Sequence, residues 1–223
     1  GLLSRGASVF PEAGEQSAWF GGPLGGGMHA PELLEAMLLT GAQLGDEELR
    51  REALRLCGRV VERQREDGSF GAPGETFAAR GRMLRALCAA YSMSGDKQLL
   101  TFMLRYMKYL HDTLRVRALS AEDAMHTADT LEAGVLLYNV TGQKAILSVL
   151  MLGFIYTFKA FDLMFVMTSG GPLNATDVLG TYSYTLSFKQ YEFSLGSATA
   201  MVLFCCLFVI GLFYLRLISK EDE

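Results

Sequence analysis

From Ser197 to Leu215 the chain reads SATAMVLFCCLFVIGLFYL, 19 residues without a charge. A helix needs about 20 predominantly apolar residues to cross about 30 Å of hydrocarbon. A buried core helix of a soluble fold usually keeps a polar stripe, whereas the only polar relief here is small Ser, Thr and Gly. The run therefore predicts a transmembrane helix. Arg216 and Lys220 follow it at once, so the positive-inside rule places the C-terminus in the cytoplasm. The acidic Glu221, Asp222 and Glu223 count little in that rule. Phe213 and Tyr214 stand where interfacial aromatic residues belong.

That segment makes sense of an uneven charge distribution. Residues 1–144 hold 16 Lys+Arg and 18 Asp+Glu, while residues 145–223 hold 4 and 6. The net charge of −4 gives no reason to expect a nucleic-acid partner. The Arg-rich stretch RREALRLCGRVVERQRE alternates with Glu and reads as solvated pairing along a helix rather than a phosphate-binding face. A second apolar stretch, Ala145 to Phe158, has 14 residues before Lys159 and is too short alone to span. Continued through KAFDLMFVMT it lengthens but takes in Lys159 and Asp162. Charges within a span usually face protein or water, so this stretch is expected as one wall of a bundle.

The passage GFIYTFKAFDLMFVMTSGGPLNATDVLGTYSYTLSF joins several features. It has a Phe-Asp pair, a Thr before Gly-Gly-Pro, an Asn-x-Thr, and a Tyr-rich run before a small-residue helix start and the closing FYLRLISK. Over about Ile146 to Lys220 it resembles the end of a sugar ABC-importer permease of the maltose and glycerol-phosphate importer type. The resemblance implies that Gly170, Gly171 and Pro172 turn the chain outside the cytoplasm. Asn174 to Phe193 would be an external connection and Leu195 to Leu217 the last helix. It further implies a bacterial-type inner (plasma) membrane, with membrane lipid, a second permease subunit, an ATPase subunit and a sugar-binding protein as partners. The family's cytoplasmic Glu-Ala-Ala loop is missing upstream, where the sequence reads EAGVLLYNVTGQKA. Two helices also cannot build alternating access around a shared site. The match is to a fragment of a permease.

The first 144 residues repeat a different pattern. LLTGAQLGDEELRREAL, AAYSMSGDKQLLTFML and LLYNVTGQKAILSVL are anchored by Gly45, Gly95 and Gly142, spaced 50 and 47 residues apart. Each reads as a helix ended by Gly, and Asp46 or Asp96 then caps the next; Gln143 is the weaker substitute. Apolar residues at Leu49, Ala53, Leu56, Val60 and at Leu99, Phe102, Met103, Tyr106 keep helical spacing. A period near 48 residues predicts one helical hairpin per repeat. The stretches WFGG…HAPELLEAMLLTGAQLGDEELRREALRLCGRVVERQREDGSFG and MHTADTLEAGVLLYNVTGQKAIL resemble the α/α-barrel of β-L-arabinofuranosidase-type glycoside hydrolases, over about Ala18 to Leu147. A complete six-hairpin barrel would need about twice this length.

That resemblance implies a Cys nucleophile beside a zinc site of Cys and Glu ligands, residues that lie in the later part of the barrel. No catalytic residue is therefore assigned, and no metal ligand or cofactor. Cys57 and Cys88 fall in apolar helical settings and read as small core residues; Cys205 and Cys206 lie within the span. Three residues are candidates for touching sugar. His126 sits among Glu122, Asp123 and Asp129 near a helix start, either as a solvated first turn or at a sugar-binding mouth. Trp19, and Asp67 in the Gln64-x-x-Asp67-Gly68-x-Phe70 turn, suit stacking and hydroxyl recognition, although loop aromatics also plug cores.

The expected protein is all-α: an incomplete α/α toroid of about two and a half hairpins over residues 1–145, glycoside-hydrolase-like, followed by two membrane helices in a permease-like segment over 146–223. The two resemblances meet within about eight residues without a flexible linker of the kind a designed fusion carries. The simplest expectation is a join of two neighbours from a carbohydrate-use locus, at the level of the gene or of its assembled sequence. The opening GLLSRGASVF suggests a start inside a longer protein or a truncated gene. Carbohydrate import by a non-catalytic membrane component is the expected function. The alternatives are a truncated glycoside hydrolase and a chimera without activity.

Overall fold

The structure, a computed structural model, describes residues 14–72, 74–116, 127–158 and 161–219. It divides into two compact units, with the division falling between Val149 and Leu150.

The first unit is built of helical hairpins. After a 3-10 turn at Ala18–Phe20 come α1 (His29–Leu44), α2 (Glu47–Val61), α3 (Phe77–Ser94), α4 (Lys97–Val116) and α5 (Thr127–Thr141). The first turns of α6 (Lys144–Phe158) close it. Within each hairpin the turn follows from two or three residues. Gly45 takes φ +65°, a left-handed conformation open to glycine, and its N–H bonds back to Gly41. The Asp46 carboxylate then accepts the Leu49 N–H at 3.0 Å. Gly95 and Asp96 repeat this, with Asp96 accepting from Gln98 N–H at 2.8 Å. Gly142 again has φ +66°, but there the acceptor for the Gln143 N–H is the Thr141 hydroxyl.

Helices α1, α3 and α5 stand side by side in one layer, and α2 and α4 pack in a second. Apolar residues at three- and four-residue spacing meet between the layers: Leu34 and Leu38 of α1, Met83, Leu84 and Leu87 of α3, Met103 and Met107 of α4, all essentially inaccessible. Gly81 sets the approach of α3 to α5, because a Cβ there would lie 2.9 Å from the Thr130 hydroxyl. Ile146 and Val149 from α6 are buried as well.

The second unit contains α7 (Phe161–Thr168), α8 (Leu179–Tyr184) running on as a π-helical turn Thr185–Lys189, and α9 (Phe193–Ser219). The α8 segment packs along the start of α9 at Gly196. Ser183 Oγ donates to the Gly196 carbonyl at 2.8 Å, and a Cβ on Gly196 would collide with Ser187 Oγ. Phe165 meets Tyr184 edge-on at 4.6 Å, with the Lys189 ammonium 5.7 Å from the Phe165 ring.

Among the described residues one helix is long and apolar enough to cross a membrane, Phe193–Phe213 within α9, and only 6% of its apolar window is buried. The other expected membrane segment differs from a single span. It forms two helices, α6 of 15 residues and α7 of 8, and neither alone reaches the length needed. Lys159, one of the two charges that interrupt the run, lies between them and outside the described residues, while Asp162 is the second residue of α7.

Candidate functional site

The connection from α2 to α3 and the loop before α1 meet at one end of the first unit. The turn in the former is fixed by its own side chains. Asp67 Oδ1 accepts from the Ser69 N–H at 2.9 Å and the Ser69 hydroxyl at 2.7 Å, and these bonds hold the Asp67 carboxyl below its usual range. Gln64 Nε2 donates to the Gly68 and Phe102 carbonyls, both at 2.9 Å, fastening the turn to α4. Gly68, at φ +88°, admits no side chain, since a Cβ would lie 2.5 Å from the Arg105 carbonyl. The turn drives Phe70 into the core, where its ring meets Phe102 at 5.0 Å and Tyr106 at 4.6 Å, both edge-on.

Trp19 caps this cluster. Its ring lies 5.9 Å from Phe70 and is 2% exposed, and its indole N–H donates to the Gly27 carbonyl at 2.9 Å. Glu75 accepts the Gly27 N–H at 3.0 Å, while burial pushes its carboxyl up. Of the sequence candidates for touching sugar, Trp19 and Asp67 thus carry structural work in one neighbourhood, and His126 lies outside the described residues. Beside Trp19 a cavity of about 410 Å³ opens between Gly21, Gly22, Arg63, Arg65 and Gly71, with Val60 in its floor.

The Asp67 geometry has a sign that can be checked. Its folded pKa is lowered, so its contribution to stability is fully present above its ordinary value of 3.8 and is lost as pH falls through the folded one. Asp67→Asn is expected to remove that part of the acid-side loss, with only a small cost at neutral pH because the group is exposed. Urea midpoints of the two proteins at pH 3 and pH 7 measure it. Equal midpoint differences at both values would refute the assignment.

A second constellation went unread in the sequence. Glu32 and Glu35 of α1, Arg82 and Arg85 of α3, and Asp129 and Glu132 of α5 meet across the first layer. Arg85 Nη2 reaches Glu35 at 2.7 Å and its Nη1 reaches Asp129 at 3.0 Å. Arg82 Nε bonds Asp129 at 2.8 Å, with Nη1 on Glu32 at 2.5 Å. The available signal was a shared spacing: each pair lies three residues apart on its helix, which puts both members on one face. Asp129 is the shared acceptor and is mostly buried, so Asp129→Ala is expected to cost about 1–3 kcal/mol. The exposed Glu132, 3.9 Å from Arg85, should change stability by less than about 0.5 kcal/mol on the same substitution. Thermal unfolding of the two variants decides it; equal losses would count against the network.

No cluster of three His, Cys, Asp or Glu among the described residues is arranged to hold a metal ion. Cys57 and Cys88 are buried, and desolvation pushes both thiols up to about 12. In the second unit the Thr168-to-Thr176 motif closes on itself. The Gly171 N–H donates to Thr168 at 2.8 Å, and the Thr176 hydroxyl donates to the Gly171 carbonyl at 2.7 Å. Gly170, at φ +90°, is buried against Asp177, and the Gly171–Pro172 bond is cis. Gly170, Gly171 and Pro172 therefore form a tight turn between α7 and α8.

The β-L-arabinofuranosidase GH127 catalytic domain family matches residues 4–150. Similarity in the C-terminal part is to permeases. A probable ABC transporter permease of Brucella suis is 34% identical over 74 residues, covering 33% of this chain and 26% of that protein. A putative ABC transporter permease of Caldicellulosiruptor is 36% identical over 72 residues, 32% of this chain and 51% of the relative. The multiple sugar-binding transport system permease MsmF of Streptococcus mutans is 36% identical over 64 residues, 29% of this chain and 22% of its own length. The chain thus spans between about a fifth and about half of the length of these curated relatives. No solved structure gives a significant match. With its matched residues making up more than half of its length, the chain belongs to the β-L-arabinofuranosidase GH127 catalytic domain family, and it carries beyond that domain a segment similar to ABC transporter permeases.

Proposed function

We propose that this chain is a membrane component for carbohydrate uptake, in which a permease-like segment over residues 146–223 is joined to a non-catalytic helical region of the glycosidase family over residues 1–145. The observation that carries the reading is α9: 27 residues long, with Met201, Phe204, Phe208 and Phe213 each more than half exposed. Such a surface is costly in water and at home in hydrocarbon. Arg216 at its end supports a cytoplasmic C-terminus in a bacterial-type inner membrane. Membrane lipid is then the immediate partner. The permease similarity adds a second permease subunit, an ATPase subunit and a sugar-binding protein as the assembly it would enter. The helical region over residues 1–145 acts by binding and support rather than by hydrolysis.

Two reporter fusions after Ser219 test the orientation. A fluorescent protein should fold and emit there, while alkaline phosphatase should stay inactive. The reverse pattern would put that end outside the cytoplasm and overturn the reading. Hydrolysis of a β-L-arabinofuranoside by the purified chain would overturn the non-catalytic part.

A further inference from the structure

The cavity beside Trp19 holds a cation that pairs with no described residue. Arg65, on its rim, is engaged: Nη1 donates to Ser69 Oγ at 3.1 Å and Nη2 to the Gly71 carbonyl at 2.8 Å. Arg55, Arg59, Arg82, Arg85 and Arg105 each hold a carboxylate or a carbonyl. Arg63 pairs with no described residue. Its guanidinium lies against Gly21, which has φ +94°, and a Cβ there would stand 2.0 Å from Nη2. Glycine at that position is what lets the guanidinium reach the cavity.

Among the described residues no acidic side chain lines the space. The Gly21 and Gly22 N–H groups are spent on Ala18 and Ser17, and the Arg63 guanidinium is a donor that lines it. Val60 and Trp19 also line it, each only 2% exposed. The volume of about 410 Å³ lies within the range of about 300–1,000 Å³ usual for small-molecule sites. A guanidinium presents a planar fork that matches a carboxylate with two parallel hydrogen bonds. We infer that this cavity binds a carboxylate-bearing monosaccharide, a uronic acid, whose carboxylate meets Arg63. Binding involves no bond-making, and it stands whether or not α9 crosses a membrane.

Trp19 is the chain's single tryptophan, so its emission reports this cavity directly. The full chain in detergent would be titrated with D-galacturonate, its methyl ester, D-galactose and inorganic phosphate. Galacturonate should give a saturable change, and the two neutral sugars at the same concentrations should give none. Arg63→Gln should weaken galacturonate by about tenfold or more, with Arg63→Lys intermediate because one ammonium replaces a fork. Equal responses to galactose or the ester, or an unchanged affinity in Arg63→Gln, would overturn the proposal. So would a phosphate response as strong as that to galacturonate, which would make the cavity a general oxyanion site. The wild-type comparison of acid, ester and neutral sugar decides the question even if a variant fails to fold.

Discussion

Phe70→Ala is expected to destabilise the helical unit by about 3–5 kcal/mol, the usual cost of removing a fully buried aromatic ring. Phe70 is inaccessible to solvent and touches Trp19 from the loop before α1 and Phe102 and Tyr106 from α4. Its removal leaves a cavity that cannot collapse easily. Gln64 and Arg105 hold the turn to α4 through backbone carbonyls, and Gly68 is jammed against Arg105. Domains of this kind are stable by only about 5–15 kcal/mol, so the loss is a large share of the total. Phe70→Leu keeps most of the volume and should lose much less. Denaturant unfolding followed by Trp19 emission measures both, because Trp19 packs on the ring in question. A Phe70→Ala midpoint equal to wild type would mean that the aromatic cluster does not hold the turn.

The second large effect concerns α9. Between Val202 and Phe213 nine residues are Leu, Ile, Phe or Val. At about 0.3–0.6 kcal/mol each near the helix centre they favour insertion by roughly 3–5 kcal/mol. An arginine there costs about 2.5–3.5 kcal/mol. Phe204→Arg alone should leave insertion near balance, with the protein divided between membrane and soluble fractions. Phe204→Arg with Phe208→Arg goes well past balance and should release the chain from the membrane. Ser194→Arg, at the end of the helix, should change little because its charge reaches the interface. Fractionation of cells producing the three variants reads this directly. Retention of the double variant would show that something other than α9 holds the protein.

Local rules carried most of the fold. Gly45, Gly95 and Gly142 mark their turns in the sequence because a left-handed helix end is a property of one residue and its neighbours. The apolar run of α9 is legible for the same reason: length and lack of charge suffice. The ion-pair network was not, since Arg85 and Glu35 are 50 residues apart and only the packing of α1 on α3 joins them. Trp19 and Asp67 look in sequence like sugar-contacting residues, while the contacts that hold Trp19 on Phe70 and Asp67 on Ser69 are not legible in composition. Arg63 looked like one more member of a solvated Arg/Glu face. What separates it from Arg55 and Arg59 is that no described carboxylate lies within reach, and the presence of Gly21 beneath it. The break between α6 and α7 was half visible, in the charges at Lys159 and Asp162.

The central claim is that a unit of the GH127 family and a permease-like membrane segment form one polypeptide held in the membrane by α9. Its most direct test uses two antibodies on alkaline-washed membranes from cells that carry the gene at its own locus. One would be raised against residues 46–66 and the other against residues 174–192. Both should detect the same polypeptide, in the membrane pellet. Two separate polypeptides, or a joint one that washes into the supernatant, would contradict the account.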